Sequence, residues 1–195
     1  MMKKIGRRSF LKGIGAAGLA CAAGLLTGCD SNGRPVVPGG DGSVSLATLP
    51  ILNGDIRWNK GSPKDPFGND YSYAVNYTIV KAREMQNCTD GVEQYMYGEY
   101  RIYKKYESIS FTVAPYTEIA KNGTGYVQVY ADDVLVATSP EMTRKTDAQK
   151  VVASVRGAEY IKIVIRVSCP DWYVSRTSDG AVIVSNVKLW KPQEE

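Results

Sequence analysis

The side chains able to do chemistry in this chain of 195 residues are four cysteines, thirteen tyrosines and three tryptophans, with no histidine. Without imidazole there is no Ser–His–Asp triad, no His-containing zinc site and no histidine acid–base work. Thiol chemistry and aromatic contact are what is left. Cys88 and Cys169 are the cysteines of the body of the chain. In a disulfide-permissive compartment they are expected to bridge, closing a loop of about 80 residues at a gain of roughly 4 kcal/mol in the loop-entropy account. Two separate buried thiols are the alternative. Tyr and Trp pair a flat apolar face with a polar edge, which suits them to stacking on sugar C–H faces while bonding hydroxyls. The group Pro170-Asp171-Trp172-Tyr173 sets an acceptor beside two aromatics directly after Cys169, and Trp58 with Asn59 and Lys60 is a second such group. Either group could instead pack over the edge of a domain. Tyr100, Tyr103 and Tyr106 read as core or sheet-surface positions on strands.

Carboxylates are plentiful but poorly spaced for metal or acid–base work. Asp65, Asn69, Asp70, Asp132 and Asp133 offer oxygens that suit Ca²⁺, yet no spacing matches an EF-hand loop. Asx-rich turns commonly satisfy their own backbone, so no cofactor is expected. One small module with no further catalytic domain argues against an enzyme, including a glycosidase built on two carboxylates. Charge narrows the partners further. Five of the 24 basic residues lie in the first 28 positions, where no acidic residue occurs, leaving 19 basic against 20 acidic in the rest. The sequence pI of about 8.8 therefore belongs to the leader, and no nucleic-acid partner is expected.

That leader has its own chemistry. Gly6-Arg7-Arg8-Ser9-Phe10-Leu11-Lys12 resembles the twin-arginine export motif. The Gly/Ala/Leu stretch that follows, from about Gly13 to Thr27, is shorter than the ~20 residues of a membrane-spanning helix. It ends in Leu26-Thr27-Gly28-Cys29, which resembles a lipobox; Cys21 is a rival with Leu in the middle position before it. Cleavage before Cys29 would leave an N-terminal thiol carrying two acyl chains, enough for stable attachment. The organisation expected is a signal peptide over 1–28, lipidated Cys29 and a flexible Gly/Pro/Ser-rich linker over 29–43. A tether of this length has a typical span of about 20 Å. The protein is placed at the cell membrane, lipid-anchored on the extracytoplasmic face.

The elements that must position the aromatic groups lie in 44–192. Apolar residues recur there with period two. Ile109, Phe111 and Val113 alternate with serines and threonine, Val127 and Val129 with Tyr and Gln, and Ile161, Ile163, Ile165 and Val167 with polar partners. Asp132-Asp133 marks a turn before Val134-Leu135-Val136, a hairpin pattern. The last strand runs from Val182 to Trp190. Strands at this spacing, without crossover helices, predict an all-β fold: an antiparallel β-sandwich of jelly-roll type.

Within that pattern, Gly98-Glu99-Tyr100-Arg101-Ile102-Tyr103-Lys104-Lys105-Tyr106-Glu107-Ser108-Ile109-Ser110-Phe111 resembles the Tyr-x-(Leu/Ile)…Tyr-x-x-(Ile/Phe) signature of the NPCBM family of carbohydrate-binding modules. Val127-Gln128-Val129-Tyr130-Ala131-Asp132-Asp133 is similar to that family's next hairpin. Val155-Arg156-Gly157-Ala158-Glu159-Tyr160-Ile161-Lys162-Ile163 is similar to its Val-x-Gly-Ala strand, and Ser185-Asn186-Val187-Lys188-Leu189 to its closing strand. The resemblance implies a jelly-roll sandwich. It also implies a glycan ligand of the galactose or blood-group type, bound without catalysis, as in modules appended to glycosidases. Enzyme-linked members often carry an Asp-His-Ala-Asp-Trp-like stretch before the closing strand. Here Asp179-Gly180-Ala181-Val182-Ile183-Val184 replaces it, with neither His nor Trp. A structural or protein-interaction domain that has lost sugar binding is the alternative function.

Overall fold

The computed structural model describes residues 43–71, 77–82, 93–169 and 178–192, all inside the unit Asp41–Glu195. Among these residues the chain forms strands β1 (Ser43–Ser45), β2 (Ile51–Gly54), β3 (Tyr77–Lys81), β4 (Gln94–Arg101), β5 (Ser108–Pro115) and β6 (Thr124–Ala131). They continue as β7 (Val134–Thr138), β8 (Met142–Thr143), β9 (Gln149–Ser154), β10 (Tyr160–Val167) and β11 (Ala181–Trp190). Leu46–Thr48 forms a 3-10 turn between β1 and β2.

All strand ladders are antiparallel. One sheet runs β1-β11-β5-β9, with β3 also on β11, and the other runs β2-β4-β10-β6-β7, with β8 also on β6. With the short β1, β2 and β8 set aside, β3-β11-β5-β9 packs on β4-β10-β6-β7. Apart from the β6–β7 hairpin, consecutive strands change sheet, which is the jelly-roll arrangement that the alternation predicted. The two inner faces close on one cluster. Phe111 and Val113 of β5 and Val184 of β11 meet Val129 of β6 and Ile163 and Ile165 of β10, all buried.

The β6–β7 hairpin turns on Asp132 (φ 46°) and Asp133 (φ 65°). A two-residue hairpin loop favours positive φ at both central positions, and Asp tolerates that region better than most residues. The Asp132 carboxylate then accepts the backbone N–H groups of Glu159 (3.1 Å) and Tyr160 (2.8 Å), so the turn also fixes the start of β10. A similar left-handed pair, Tyr103 (φ 56°) and Lys104 (φ 57°), follows β4, and the N–H of Lys105 donates to the Ile102 carbonyl at 3.1 Å. Nothing in the residue types there signals a turn. Tyr103 and Tyr106 are consequently on no strand, contrary to expectation: Tyr103 is exposed and Tyr106 buried.

β11 changes phase along its length. Ser185 pairs with Thr112 and Lys188 with Ser110, so two residues of β11 stand opposite the single Phe111. This bulge, with Asn186 at φ 53°, moves the inward set from Val182 and Val184 to Val187 and Leu189, all buried. Without the extra residue, Leu189 would face outward. A β-branched residue at Asn186 should therefore be costly. Asn186→Val is expected to be about 1–2 kcal/mol less stable than Asn186→Gly, the cost of holding an L residue left-handed. Urea midpoints of the two variants check this; equal midpoints would show that the bulge does not depend on residue 186.

Candidate functional site

Of the residues that the sequence singled out for ligand contact, Asp171, Trp172 and Tyr173 lie outside the described residues, as do Cys29 and Cys88. Cys169 is described: it is buried two residues past the end of β10. Trp58 follows β2. It is half-buried and packs against the core, and its indole N–H donates to the Tyr100 hydroxyl at 2.8 Å. Tyr100 is fully buried on β4. Burial raises the pKa of its hydroxyl, against the smaller opposing effects of the Trp58 hydrogen bond and the nearby Arg57 charge. The two rings thus form one unit in which Tyr100 supplies the buried acceptor that the indole needs. Asn59 and Lys60, beside Trp58, are exposed.

A second array was not anticipated from the sequence. On β10 the odd residues Ile161, Ile163, Ile165 and Val167 enter the core, so Tyr160, Lys162, Val164 and Arg166 lie on the outer face. Register sets β4 and β6 residues beside them. Arg166 stands between Tyr95 and Tyr126, Val164 between Tyr97 and Gln128, and Lys162 between Glu99 and Tyr130. Four tyrosines from two strands thereby flank β10. Tyr95 is 54% exposed; its ring centroid lies 6.4 Å from that of Tyr97, with the planes tilted by 41°. The Arg166 guanidinium sits 5.3 Å from the Tyr95 ring centre.

Polar contacts hold these side chains in place. The Gln128 side-chain oxygen accepts from Arg166 Nε (2.9 Å) and from the Tyr130 hydroxyl (3.2 Å). Tyr126 donates its hydroxyl to Glu93 at 3.0 Å; burial, then this bond, pushes the Tyr126 pKa up. Each cation has a carboxylate: Arg166 with Glu93 at 3.8 Å, Lys162 with Asp133 at 3.2 Å and Arg101 with Glu159 at 2.6 Å. The Asp133 bond raises the Lys162 pKa and the Glu159 bond that of Arg101, so both stay charged. At the Lys162 end lies a shallow open depression of about 150 Å³, lined by Glu99, Asp132, Asp133, Tyr160, Ile161 and Lys162. Alternation with inward residues sets Tyr95, Tyr97, Tyr126 and Tyr130 on the outer side of their own strands, but only the pairing with β10 brings the two strands together.

Residues 92–170 match the model of the NPCBM/NEW2 domain. That segment is similar to NPCBM domains. It contains β4 to β10 and the whole tyrosine face, whereas the closing stretch Ser185–Leu189 lies beyond it. Three solved structures share the fold. CBM51 from Clostridium perfringens GH95, in complex with methyl-galactose, has a TM-score of 0.50 and 18% identity over 75% of this chain and 99% of that chain. CBM51-2 in complex with GlcNAc and INT domains from C. perfringens ZmpB scores 0.55 with 16% identity, over 85% of this chain and 36% of that one. The tandem CBM51 modules of Sp3GH98, a family 98 glycoside hydrolase from Streptococcus pneumoniae, score 0.52 with 13% identity over 78% and 48%. This chain spans 17%, 31% and 36% of the three ZmpB structures that it matches. No curated protein sequence matches it.

Upstream of the matched segment, Asp65, one of the carboxylates considered for Ca²⁺, is engaged by protein groups. Asp65 is buried. Its Oδ1 accepts the N–H groups of Phe67 and Asn69, both at 2.9 Å, and its Oδ2 accepts Asn69 Nδ2 (2.9 Å) and the Tyr71 hydroxyl (2.8 Å). The Thr117 N–H donates to the Lys64 carbonyl at 3.1 Å, tying this loop to the segment after β5. Among the described residues there is no cluster of three or more His, Cys, Asp or Glu suited to a metal.

Burial pushes the Asp65 carboxyl up, but the bonds from Asn69, Tyr71 and Phe67 outweigh it and leave the pKa below the ordinary value. Burial and the bond to Asp65 push the Tyr71 hydroxyl far up, so it remains a donor. A carboxyl whose folded pKa is depressed stabilises the fold above its unfolded pKa of about 4, and that contribution is lost as pH falls through the folded value. Asp65→Asn is expected to lower the urea midpoint at neutral pH. Its deficit against the parent should shrink as pH is taken below about 4. A deficit that is constant with pH would show that the charge on Asp65 contributes nothing.

Proposed function

We propose that this protein is an extracytoplasmic lipoprotein whose β-sandwich binds glycan without catalysis. The observation that carries the reading is the NPCBM match over 92–170, set in a jelly-roll sandwich. The solved relatives support it: a CBM51 structure holds methyl-galactose and another holds GlcNAc. The ZmpB structure holds CBM51 domains together with an M60 catalytic domain, which is the division of labour proposed here. Asp171, Trp172 and Tyr173 are the proposed contacts, an acceptor beside two stacking rings. Trp58 is the other proposed contact, with its indole N–H already engaged by Tyr100 and its ring left for packing or ligand. No cofactor enters this reading.

A single small site of this kind binds weakly, in the millimolar to micromolar range, at about −4 to −8 kcal/mol. A glycan array probed with the full chain is expected to give signal on neutral sugars, and Trp172→Ala is expected to lose the terminal-sugar component. Hydrolysis of an array glycan would overturn the non-catalytic assignment. A second reading, a protein-interaction domain, is favoured by one observation. The edge strand β7 exposes Val134, Leu135 and Val136 in succession, and exposed apolar edges invite strand pairing. Array silence together with a stable dimer in solution is its signature.

For the anchor, the proposal rests on the Arg7-Arg8 motif and the Leu26-Thr27-Gly28-Cys29 stretch. For the body, it is that Cys88 and Cys169 bridge after export in the folded state. One intact-mass measurement on protein from the membrane fraction of an exporting, oxidising host tests both. Expected are loss of residues 1–28, a diacylglyceryl group on Cys29 and two hydrogens fewer for the bridge. A leader still attached, or two alkylatable thiols in the body, would contradict the respective part.

A further inference from the structure

The outer face of the six-stranded sheet is built in a way that its role as a sheet surface does not require. Tyr95 and Tyr97 form one row on β4 and Tyr126 and Tyr130 another on β6, with β10 between them. Two strand spacings separate the rows, about 10 Å, and Tyr126 and Tyr130 are about 13 Å apart along their strand. That area is larger than one pyranose ring.

The chemistry of the face selects among ligands. Its floor is Val164, nearly buried beneath the surrounding side chains. The cations Arg101, Lys162 and Arg166 each have a carboxylate partner, and Glu99 and Asp132 add further negative charge at the Lys162 end. A polyanion therefore gains nothing here. Aromatic planes and amide or hydroxyl groups are what the face offers instead, a combination that suits C–H faces and hydroxyls of an uncharged sugar chain. The contacts among Gln128, Arg166, Tyr130 and Tyr126 also order these side chains before any ligand arrives. Both bonds to Gln128 use its amide oxygen, which orients the NH₂ group as a donor. Pre-ordering lowers the entropy cost of binding.

We infer that this sheet face is a second ligand surface, taking an extended neutral oligosaccharide across the Tyr95–Tyr97 and Tyr126–Tyr130 rows. The inference rests on the carbohydrate-binding reading above and adds to it contact residues other than Asp171, Trp172, Tyr173 and Trp58. The shallow depression at Glu99, Asp133 and Lys162 terminates the surface and receives one end of the chain.

The test is titration calorimetry of the full chain with neutral β-linked gluco-, manno- and galacto-oligosaccharides, from mono- to hexasaccharide. Affinity for the best series should rise about tenfold or more from mono- to tetrasaccharide. Tyr95→Ala and Tyr126→Ala should each weaken tetrasaccharide binding about tenfold, equivalent to about 1.4 kcal/mol, and leave monosaccharide binding as it was. Tyr95→Phe keeps the ring and should keep the affinity. Thermal midpoints identify a variant that has lost its fold, in which case Tyr95→Leu and Tyr126→Leu replace the alanines. Raising salt from about 50 to 300 mM should change little, as expected for an uncharged ligand. Undiminished tetrasaccharide binding in folded tyrosine variants, with loss in Trp172→Ala, overturns the sheet face and leaves the proposed function standing. No binding of any neutral glycan by the parent chain overturns both.

Discussion

The architecture depends on one constraint: a sheet packed on another must give alternate side chains to the core and leave the remainder to water. β10 shows it most directly, because it is central in its sheet and hydrogen-bonded on both sides. Its isoleucines fill the space between the sheets, and the same pleat forces Tyr160, Lys162, Val164 and Arg166 outward. Since β4 and β6 obey the same rule in register with it, the composition of the outer face follows from the burial of the inner one. A one-residue slip of β10 would put Arg166 and Lys162 into the core and strip the outer face of its ordering contacts. The bulge at Asn186 serves the same constraint on β11, where a strand of ten residues keeps both halves buried by adding one residue between them.

How much of this was legible depended on whether a strand's inward residues were aliphatic. β5, β6 and β10 were read from Ile, Val and Phe at period two, and the Asp132-Asp133 turn from residue type. β4 was harder. Its inward set is Met96, Gly98 and Tyr100 and its outward set Tyr95, Tyr97, Glu99 and Arg101, so no aliphatic alternation marks it. Tyr100, Tyr103 and Tyr106 look equivalent in sequence, yet one is core, one is exposed in a left-handed turn and one is buried beyond that turn. Tyr and Lys carry no preference for positive φ, and that turn exists because β4 and β5 belong to different sheets. The N-terminal strands β2 and β3 were missed for a related reason: they are short and lie at the margins of their sheets.

The candidate sites differ in legibility on the same grounds. A group such as Asp171-Trp172-Tyr173 is contiguous in sequence, so chemistry can be proposed from adjacency alone. The tyrosine face is assembled from residues 95–97, 126–130 and 162–166, and only the register of three strands brings them together. Trp58 lies between the two cases. Its residue type suggested an exposed platform, while the indole N–H proves to be bound to a buried hydroxyl forty-two positions away. That partner could not be read from local sequence.

Assembly from strands also has a consequence for specificity. A loop can change one residue without disturbing a neighbouring strand, so it suits the recognition of a terminal sugar, where a single hydroxyl decides the ligand. A sheet face is stiff, and its tyrosines are spaced by the pleat rather than by the ligand. Such a surface can recognise only what repeats along a chain at a comparable pitch, with modest contact at each ring. If the two surfaces act together, the second contact becomes intramolecular once the first has formed, and its effective concentration is set by the rigid sandwich instead of by diffusion. If the protein is held at a membrane as proposed, weak contacts of this sort favour polymers and crowded surfaces over free monosaccharides.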